Sequence, residues 1–322
     1  MSNGRARRCF VAGHRGLVGS AIVRRLVAGG YGAPIVRGRE EVDLLDQRAV
    51  RGFFEAERPD VVIFAAAKVG GINANNTRRW DFLYENLVIE TNVLGAALAT
   101  DVDRLVFFGS SCIYPRLAPQ PISEEHLLTG PLEDTNEPYA IAKIAGLKLV
   151  EAANATQGRS WVSLMPTNLY GPNDNFDLQG SHVLPALIRK FHEAKEARES
   201  GENSHVTLWG HGTAQREFLH VDDAADAAIS LMESGATGLY NVGSGSDLTI
   251  RELAALVASV VGYEGPVEWD SSKPDGTPRK LLDSSKIRAT GWAPSITLED
   301  GLRSSYEWYR ATFEAAAPGS TS

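Results

Sequence analysis

The stretch "VAGHRGLVGS" at residues 11–20 decides the fold, because it joins a short apolar run to a helical pattern through a glycine-rich turn. Glycines at such a turn let the chain bend tightly and let a pyrophosphate approach the N-terminus of the helix. We therefore expect this loop to bind a dinucleotide, with contacts from Gly13, Gly16, Leu17, Val18 and Gly19. The alternative is a glycine-rich turn that binds nothing.

Short apolar runs alternate with helical patterns after this loop. The runs hold consecutive β-branched or aromatic residues, as do strands that are covered on both faces; they lie at 8–13, 33–38, 60–67, 103–110 and 160–166. Helical spacing is found at 19–30, 44–57, 87–100 and 139–156. Such alternation predicts βαβ units and an α/β fold with a Rossmann-like, doubly wound parallel sheet.

The alternation loosens after Pro166. Helical spacing recurs at 184–199, 222–234 and 250–262, strand-like runs lie at 205–210 and 216–221, and 272–283 is rich in turn formers. We expect Asp222 to cap the helix that it begins. The predicted organisation is a nucleotide-binding domain at 1–165 plus about 217–245, a substrate domain at 166–216 and 246–315, and a disordered tail at 316–322. The substrate domain is expected over the carboxyl edge of the sheet, where open α/β sheets bind ligands.

Composition limits the class of protein. The 322 residues carry a formal net charge of -8, so no basic surface points to nucleic acid. Two cysteines, Cys9 and Cys112, cannot build a disulfide framework or a zinc cluster, and we expect no metal. No apolar run approaches the ~18 residues of a membrane span, and the first apolar run is too short for a signal peptide. We expect a cytoplasmic protein that binds neither nucleic acid nor membrane.

The residues that follow the second predicted strand indicate which dinucleotide binds. An acidic side chain there bonds the ribose hydroxyl of NAD, whereas guanidinium groups suit the 2′-phosphate of NADP. Arg37 and Arg39 come first and the glycine loop adds Arg15, so we predict NADP(H). Glu40 and Glu41 follow at once and leave NAD as the alternative. The residues expected to border the adenine are Asp43 and Leu44.

A tyrosine and a lysine four residues apart carry the predicted chemistry. Tyr139 and Lys143 share one face of a helical stretch. A tyrosine has an ordinary pKa of about 10, and an ammonium group beside it is expected to lower that pKa and make the phenol a proton shuttle. Ser110 ends a central strand, where its hydroxyl can bond a substrate carbonyl beside the tyrosine. Behind a glycine loop, this set predicts reduction of a carbonyl.

These residues together resemble the extended short-chain dehydrogenase/reductase family, from Phe10 to about Tyr309. The closest resemblance is to its bifunctional 3,5-epimerase/4-reductase branch, whose signatures are similar to "AGHRGLVGSAI", "AAAKVGGI", "GSSCIYP", "NEPYAIAKIAG", "MPTNLYGPNDNF", "REFLHVDD" and "SKPDGTPRKLLD". The resemblance implies an NADPH-dependent conversion of GDP-4-keto-6-deoxy-D-mannose to GDP-L-fucose. It also implies a homodimer built on the helices at 86–100 and 139–157.

Epimerisation requires a base and an acid on opposite faces of the sugar, because the ketone at C4 acidifies the hydrogens on C3 and C5. The resemblance gives the role of base to Cys112 and that of acid to His182. A thiol and an imidazole both titrate near enough to neutral pH for these roles. The alternatives are a buried, inert thiol at Cys112 and a surface histidine at a helix N-terminus. Cys9 is expected in the core.

The resemblance also implies ligand contacts. Contacts with the cofactor would come from Ser110, Ser111, Tyr139, Lys143, Pro166, Asn168, Leu169 and His182. Contacts with the GDP-sugar would come from Asn168, Lys190, Trp209, Arg216, Asp275 and Lys280. The cationic members would meet the diphosphate, Trp209 would stack on the guanine, and Asp275 would bond a hydroxyl. Lys190 has an alternative as a solvated charge of a basic helix.

Other functions use parts of the same residue set. An NAD-dependent nucleotide-sugar 4-epimerase needs Ser110, Tyr139 and Lys143 but no second acid–base pair. A 4,6-dehydratase is disfavoured, because its family pattern has acidic residues in place of Cys112 and Ile113. A non-catalytic dinucleotide sensor is disfavoured, because such proteins typically lose the tyrosine or the lysine.

Overall fold

The computed structural model describes residues 7–178, 180–273 and 276–313. The strands are β1 (Cys9–Ala12), β2 (Val61–Phe64), β3 (Arg104–Phe108), β4 (Val162–Pro166), β5 (Asn168–Tyr170), β6 (Val206–Trp209), β7 (Gln215–His220), β8 (Gly238–Val242), β9 (Asp247–Thr249), β10 (Val267–Asp270) and β11 (Arg279–Lys280). The helices are α1 (Leu17–Ala28), α2 (Gln47–Glu57), α3 (Ile72–Thr77), α4 (Arg79–Ala99), α5 (Glu137–Gln157), α6 (Val183–Glu199), α7 (Val221–Ser234), α8 (Ile250–Val261), α9 (Ser285–Arg288) and α10 (Leu298–Phe313). Short 3-10 turns lie at Ser111–Ile113 and Glu124–His126.

The larger sheet of the described chain is parallel, with strand order β1-β2-β3-β4-β8. β1, β2 and β4 are buried along their whole length, as their unbroken apolar sequences predict. β1 has partners on both sides. β2 pairs with one edge, and Ile35 forms an isolated parallel bridge with Phe10 at the other edge. This arrangement confirms the predicted doubly wound sheet and opens a crevice at the carboxyl ends of β1 and β2.

The strand expected at 33–38 is reduced to that one bridge. The amide and the carbonyl of Ile35 bond β1 at 2.7 and 3.0 Å. Pro34 has no amide hydrogen, and the carbonyl of Val36 accepts a hydrogen bond of 2.8 Å from the side chain of Arg37. Pairing therefore stops after a single residue.

Helices cover both faces of this sheet. Side chains of α2, α4 and α5, such as Phe54, Val93 and Val150, form one apolar layer. Side chains of α1 and α7, such as Ile22 and Leu231, form the other. The two layers bury most of the sheet and leave its carboxyl edge as the place where polar side chains gather.

A smaller sheet is built around β7, which pairs with β5 and β11 in parallel and with β9 in antiparallel orientation. β6 and β10 form a separate parallel pair. A third apolar cluster lies beneath these strands, where α6, α8 and α10 contribute Phe191, Val257 and Leu302. The predicted domain boundaries stay a prediction.

Two local expectations for this half were wrong. The segment 272–283 is not wholly a loop, because Arg279 and Lys280 pair with β7, a partner that the local sequence does not reveal. The N-cap of α7 is His220 rather than Asp222. The Nδ1 atom of His220 accepts a hydrogen bond of 3.2 Å from the backbone amide of Asp222, which places Asp222 inside the first turn.

None of the helices in the described ranges is both long enough and apolar enough to cross a membrane.

Candidate active site

The glycine loop has room for glycine alone at two positions. Gly13 has a φ of 88°, and a Cβ atom there would lie 2.8 Å from the backbone of Ala66. A Cβ atom on Gly19 would lie 2.1 Å from the carbonyl oxygen of Gly13. No described side chain caps the first turn of α1, so its amides can meet an anion. The loop therefore fits the pyrophosphate of a dinucleotide, with Gly16, Leu17 and Val18 around the start of the helix.

Two of the three candidate arginines for a 2′-phosphate lie exposed near this loop. Arg15 pairs with Glu40 at 2.6 Å, and this contact brings the guanidinium against Gly38. That hydrogen bond and the positive charge of Arg15 hold the pKa of Glu40 below its usual value. Arg39 pairs with Asp43 at 3.3 Å. Both guanidinium groups sit in solvent-exposed pairs, which a phosphate can replace at small cost.

The third candidate, Arg37, points elsewhere. Its guanidinium bonds the carboxylate of Glu57 on α2 and lies 5.7 Å from the centre of the Phe53 ring. The neighbouring Leu44, expected at the adenine, is partly buried and its carbonyl accepts a hydrogen bond of 2.9 Å from Asn92. Arg37 therefore packs against α2, and its contact with a 2′-phosphate stays a prediction.

The end of β3 brings three predicted residues together. Ser110 is the N-cap of the 3-10 turn, and its Oγ accepts a hydrogen bond of 3.3 Å from the amide of Cys112. The phenol of Tyr139, at the start of α5, lies beside the Ser110 side chain, whose interaction acts to lower the tyrosine pKa. Ser111 is buried beneath the turn. A serine, a thiol and a phenol thus share one small volume at the carboxyl edge of the sheet.

The two thiols lie in different surroundings. Cys112 is half-buried, and its Sγ lies 3.4 Å from Nδ2 of Asn136, which donates a hydrogen bond to it. Cys9 is buried in the core as expected, and burial raises its pKa to about 12. Only Cys112 among them therefore has a polar partner and access to a ligand.

Lys143 is joined to a residue that the sequence analysis missed. Its Nζ donates a hydrogen bond of 3.0 Å to the carbonyl of Phe108 and lies 3.2 Å from Oε1 of Glu90 on α4. Both side chains are almost completely buried. Gly146 makes room for the pair, since a Cβ atom there would lie 2.6 Å from Glu90. The available signal was a single acidic residue inside the apolar pattern of residues 87–100.

The pKa of Tyr139 is raised, not lowered as we expected from Lys143. Burial is the main cause, the negative charges of Cys112 and Glu90 add to it, and the hydrogen bond with Ser110 acts in the opposite direction. The ammonium of Lys143 lies 5.9 Å from the centre of the tyrosine ring, but Glu90 offsets its charge. The phenol is therefore held in its protonated form.

A second group contains His182, Lys280 and Arg216. His182 is the N-cap of α6, and its side chain is exposed to solvent. Its pKa is lowered mainly because the surrounding protein desolvates the imidazole, and the positive charge of Lys280 adds to this effect. Lys280 is the register partner of Arg216 in the pairing of β11 with β7. Burial also lowers the pKa of Arg216. Three basic side chains therefore lie around the pairing of β11 with β7.

A buried carboxylate supports that edge. Glu217, next to Arg216, accepts hydrogen bonds from the amides of Gly245 at 2.7 Å and Leu282 at 3.0 Å. Its own carbonyl accepts a hydrogen bond of 2.8 Å from Asn168 Nδ2. One residue thus fixes three segments that are distant in sequence.

The remaining predicted contacts lie on other parts of the described chain. Lys190 donates a hydrogen bond of 3.0 Å to the carbonyl of Thr207 on β6, and Trp209 follows on the same exposed face of that strand. The side chain of Lys273 lies 5.7 Å from the centre of the Trp209 ring. Pro166 is buried in β4, Leu169 pairs with β7, and Asp275 lies outside the described residues.

Comparisons with known proteins agree with this geometry. Residues 9–243 match the model of the NAD dependent epimerase/dehydratase family. A probable GDP-L-fucose synthase 1 from Oryza sativa subsp. japonica is 58% identical over 303 residues, which cover 93% of this chain and 91% of the rice protein. A GDP-L-fucose synthase from Escherichia coli K12 is 55% identical over 313 residues, which cover 94% of this chain and 96% of that protein.

A solved structure shares the fold throughout its length. It is the GDP-mannoheptose C4 reductase MlghC from Campylobacter jejuni with NADP bound, which has a TM-score of 0.89 and 38% sequence identity. The match covers 95% of this chain and 99% of the other. With its glycine loop, its serine, tyrosine and lysine, and a family match over most of its length, this chain belongs to the NAD dependent epimerase/dehydratase family.

Proposed function

We propose that this chain is a bifunctional NADPH-dependent epimerase/reductase. It converts GDP-4-keto-6-deoxy-D-mannose to GDP-L-fucose by inversion at C3 and C5 followed by hydride reduction at C4. The observation that carries the proposal is the group at the end of β3, where Ser110, Cys112 and Tyr139 meet. This group sets a thiol beside the serine and tyrosine that hold a carbonyl. The rice and E. coli relatives named above support the same reaction.

The epimerisation uses Cys112 and His182. The Cys112 thiolate removes a proton from C3 or C5, and the electron pair moves onto O4 to form an enolate. The hydroxyls of Ser110 and Tyr139 hold O4 by hydrogen bonds. His182 returns a proton to the opposite face of the sugar. The lowered pKa of His182 makes its protonated form the stronger acid and leaves a smaller fraction of it protonated at neutral pH.

The reduction uses Tyr139 as the acid. When bound, NADPH supplies the hydride that C4 receives. Tyr139 gives its proton to O4, and its raised pKa keeps the phenol protonated at neutral pH, which is the form that the reductive direction requires. Lys143 is held under the phenol by the carbonyl of Phe108 and by Glu90. It therefore adds a fixed positive group without forcing the phenol to ionise.

The cofactor and the nucleotide of the substrate bind to the groups described above. The loop at Gly13–Gly19 would hold the pyrophosphate of NADP(H), and Arg15 and Arg39 would hold its 2′-phosphate. The NADP-bound C. jejuni relative supports this choice. Arg216, Lys280 and Lys190 would bind the diphosphate of the GDP-sugar, and Trp209 would stack on the guanine.

The assembly that we propose is a homodimer through α4 and α5. These helices pack against each other and leave Tyr84, Ile141 and Leu149 exposed. In a Leu149→Glu variant, light scattering is expected to report a monomer. A Val27→Glu variant, which alters an exposed apolar residue of α1, is expected to stay dimeric. A cytoplasmic location suits an enzyme whose base is a free thiol.

The test is an assay in deuterium oxide with GDP-4-keto-6-deoxy-D-mannose and NADPH. We expect loss of NADPH absorbance and a GDP-L-fucose product that carries deuterium at C3 and C5 by NMR. An absence of NADPH consumption would refute the proposal. A 4-epimerase would instead interconvert sugars on a bound NAD and leave C3 and C5 unlabelled.

Two variants separate the reactions. Cys112→Ser is expected to stop deuterium exchange into the sugar, whereas Tyr139→Phe is expected to exchange without reduction. If Cys112→Ser exchanged at the wild-type rate, the thiol would not be the base.

A further inference from the structure

We propose that Asn136 is a positioning residue for epimerisation, whose side-chain amide orients Cys112 and favours its thiolate. This inference rests on the proposed role of Cys112 as the base, and it assigns a task to a residue that neither reaction uses directly.

The contact joins two side chains from different elements. Nδ2 of Asn136, at the start of α5, donates a hydrogen bond to Sγ of Cys112 across 3.4 Å. Oδ1 of the same amide is buried and has no hydrogen-bond partner among the described residues. The thiol is thus the one partner that the structure gives to this side chain, and the bond fixes the direction in which Sγ points.

The position of Asn136 makes this use of its amide unusual. It is the N-cap of α5, a place where asparagine normally accepts hydrogen bonds from the first helical amides. The side chains of Asp46 and Thr249 do this for α2 and α8. The side chain of Asn136 makes no such bond and turns to the sulfur instead. The side chain of Asn136 therefore contacts the thiol and does not cap α5.

Both consequences of this choice favour negative charge on Cys112. An N–H donor stabilises a thiolate more than it stabilises a neutral thiol. The N-terminus of α5 has no side-chain cap and carries a partial positive charge, and its N-cap residue is the one that contacts the thiol. The acidic side chains around this turn are Glu90, which Lys143 offsets, and Glu137, which pairs with Arg79 at 3.2 Å. Asn136 is uncharged, and its side-chain amide donates a hydrogen bond directly to the sulfur.

The backbone of Asn136 is held independently of the thiol. The carboxylate of Glu133 accepts hydrogen bonds from the amide and the hydroxyl of Thr135 at 3.1 and 2.5 Å, and the amide of Asn136 donates to the Glu133 carbonyl at 3.3 Å. Ala140 completes the first helical bond at 3.0 Å. Side-chain variants at position 136 should therefore keep the turn and the helix.

The experiment measures the reactivity of the thiol itself. Full-length wild type, Asn136→Asp and Asn136→Ser are treated with iodoacetamide, and alkylation of Cys112 is followed by peptide mass spectrometry, with buried Cys9 as the internal reference. Aspartate and serine are both good N-caps, so the melting temperature is expected to be retained. Neither can donate an amide hydrogen to the sulfur. We expect Cys112 alkylation to slow by about tenfold or more, as for loss of a hydrogen bond to a charged group.

The matched control is Thr135→Ala, which alters the same turn without removing the amide. We expect wild-type alkylation from it. Deuterium exchange into the sugar should fall in both Asn136 variants by a factor similar to that of alkylation, with KM nearly unchanged.

Wild-type alkylation rates in Asn136→Asp would overturn the proposal, as would an equal slowing in Thr135→Ala. Slower alkylation in the Asn136 variants of an enzyme whose wild type exchanges no deuterium would instead remove the proposed function and leave the contact standing.

Discussion

Replacing Glu90 by glutamine tests the buried ion pair beneath the active site. The change keeps the shape of the side chain but removes the charge that lies 3.2 Å from Nζ of Lys143. Both partners are almost fully buried, so the variant leaves an ammonium group whose remaining bond is to the Phe108 carbonyl. Removing one partner of a buried pair costs roughly 3 to 5 kcal/mol. Because glutamine still offers an amide oxygen, we expect the lower end, about 3 kcal/mol.

Calorimetry can measure this loss. For a chain of this length, 1 kcal/mol shifts the melting temperature by roughly 2 °C, so a drop of about 6 °C is expected. The matched control is Glu151→Gln on α5, the helix that carries Lys143, where Lys148 and Glu151 form an exposed pair at 2.7 Å. Exposed pairs contribute within about 0.5 kcal/mol, so this control should melt with the wild type.

The same variant makes a second, independent prediction about pH. The charge of Glu90 is one cause of the raised pKa of Tyr139. Its removal lowers that pKa, and the reduction rate, which requires a protonated phenol, should then fall at a lower pH than in the wild type. A Glu90→Gln variant that melts within about 1 °C of the wild type and keeps its pH profile would refute the reasoning. The double variant Glu90→Leu with Lys143→Met should recover stability but not reduction.

Three further predictions concern other parts of the chain. Gly19→Ala should abolish NADPH binding in a fluorescence titration, because the new methyl group would meet the carbonyl of Gly13 at 2.1 Å; wild-type affinity would contradict this. Arg15→Ala should lower the NADPH-to-NADH ratio of kcat/KM about tenfold, whereas Arg37→Ala should leave that ratio unchanged. Burial raises the pKa of Asp174 to about 7, so the stability linked to its protonated form is present at low pH and is lost as the pH rises through about 7. Asp174→Asn should therefore melt above the wild type by a margin that grows from about pH 4 to about pH 7 and stays level above that, and a margin that did not change over this range would contradict this.

The sheet was predictable because its strands are buried on both faces and read as unbroken apolar runs. The runs predicted at 8–13 and 60–67 extend one to three residues beyond the observed ends of β1 and β2. The edge segment at 33–38 has the same composition but only one bridge. Whether such a run pairs depends on Pro34 and on the side chain of Arg37, which local apolar character does not report.

The members of the site divide in the same way. Ser110, Cys112 and Tyr139 follow from a strand end and a helix start, which the sequence places well. Glu90 and Asn136 do not, because each has an ordinary local interpretation, as a charge on a helix and as a helix cap. Their contacts with Lys143 and Cys112 join elements that are far apart in sequence. The tertiary structure alone reveals that pairing.

The carboxylate of Glu217 has a consequence for how this architecture can be altered. The chain leaves that carboxylate at Gly245, forms β9, α8, β10 and β11, and returns to it at Leu282. The segment from Gly245 to Leu282 is therefore a cassette whose two ends are hydrogen-bonded to the same carboxylate. Insertions or exchanges inside it would leave both fastening points and the larger sheet in place. Such a cassette offers protein engineering a route to new nucleotide recognition that does not disturb the residues at the end of β3.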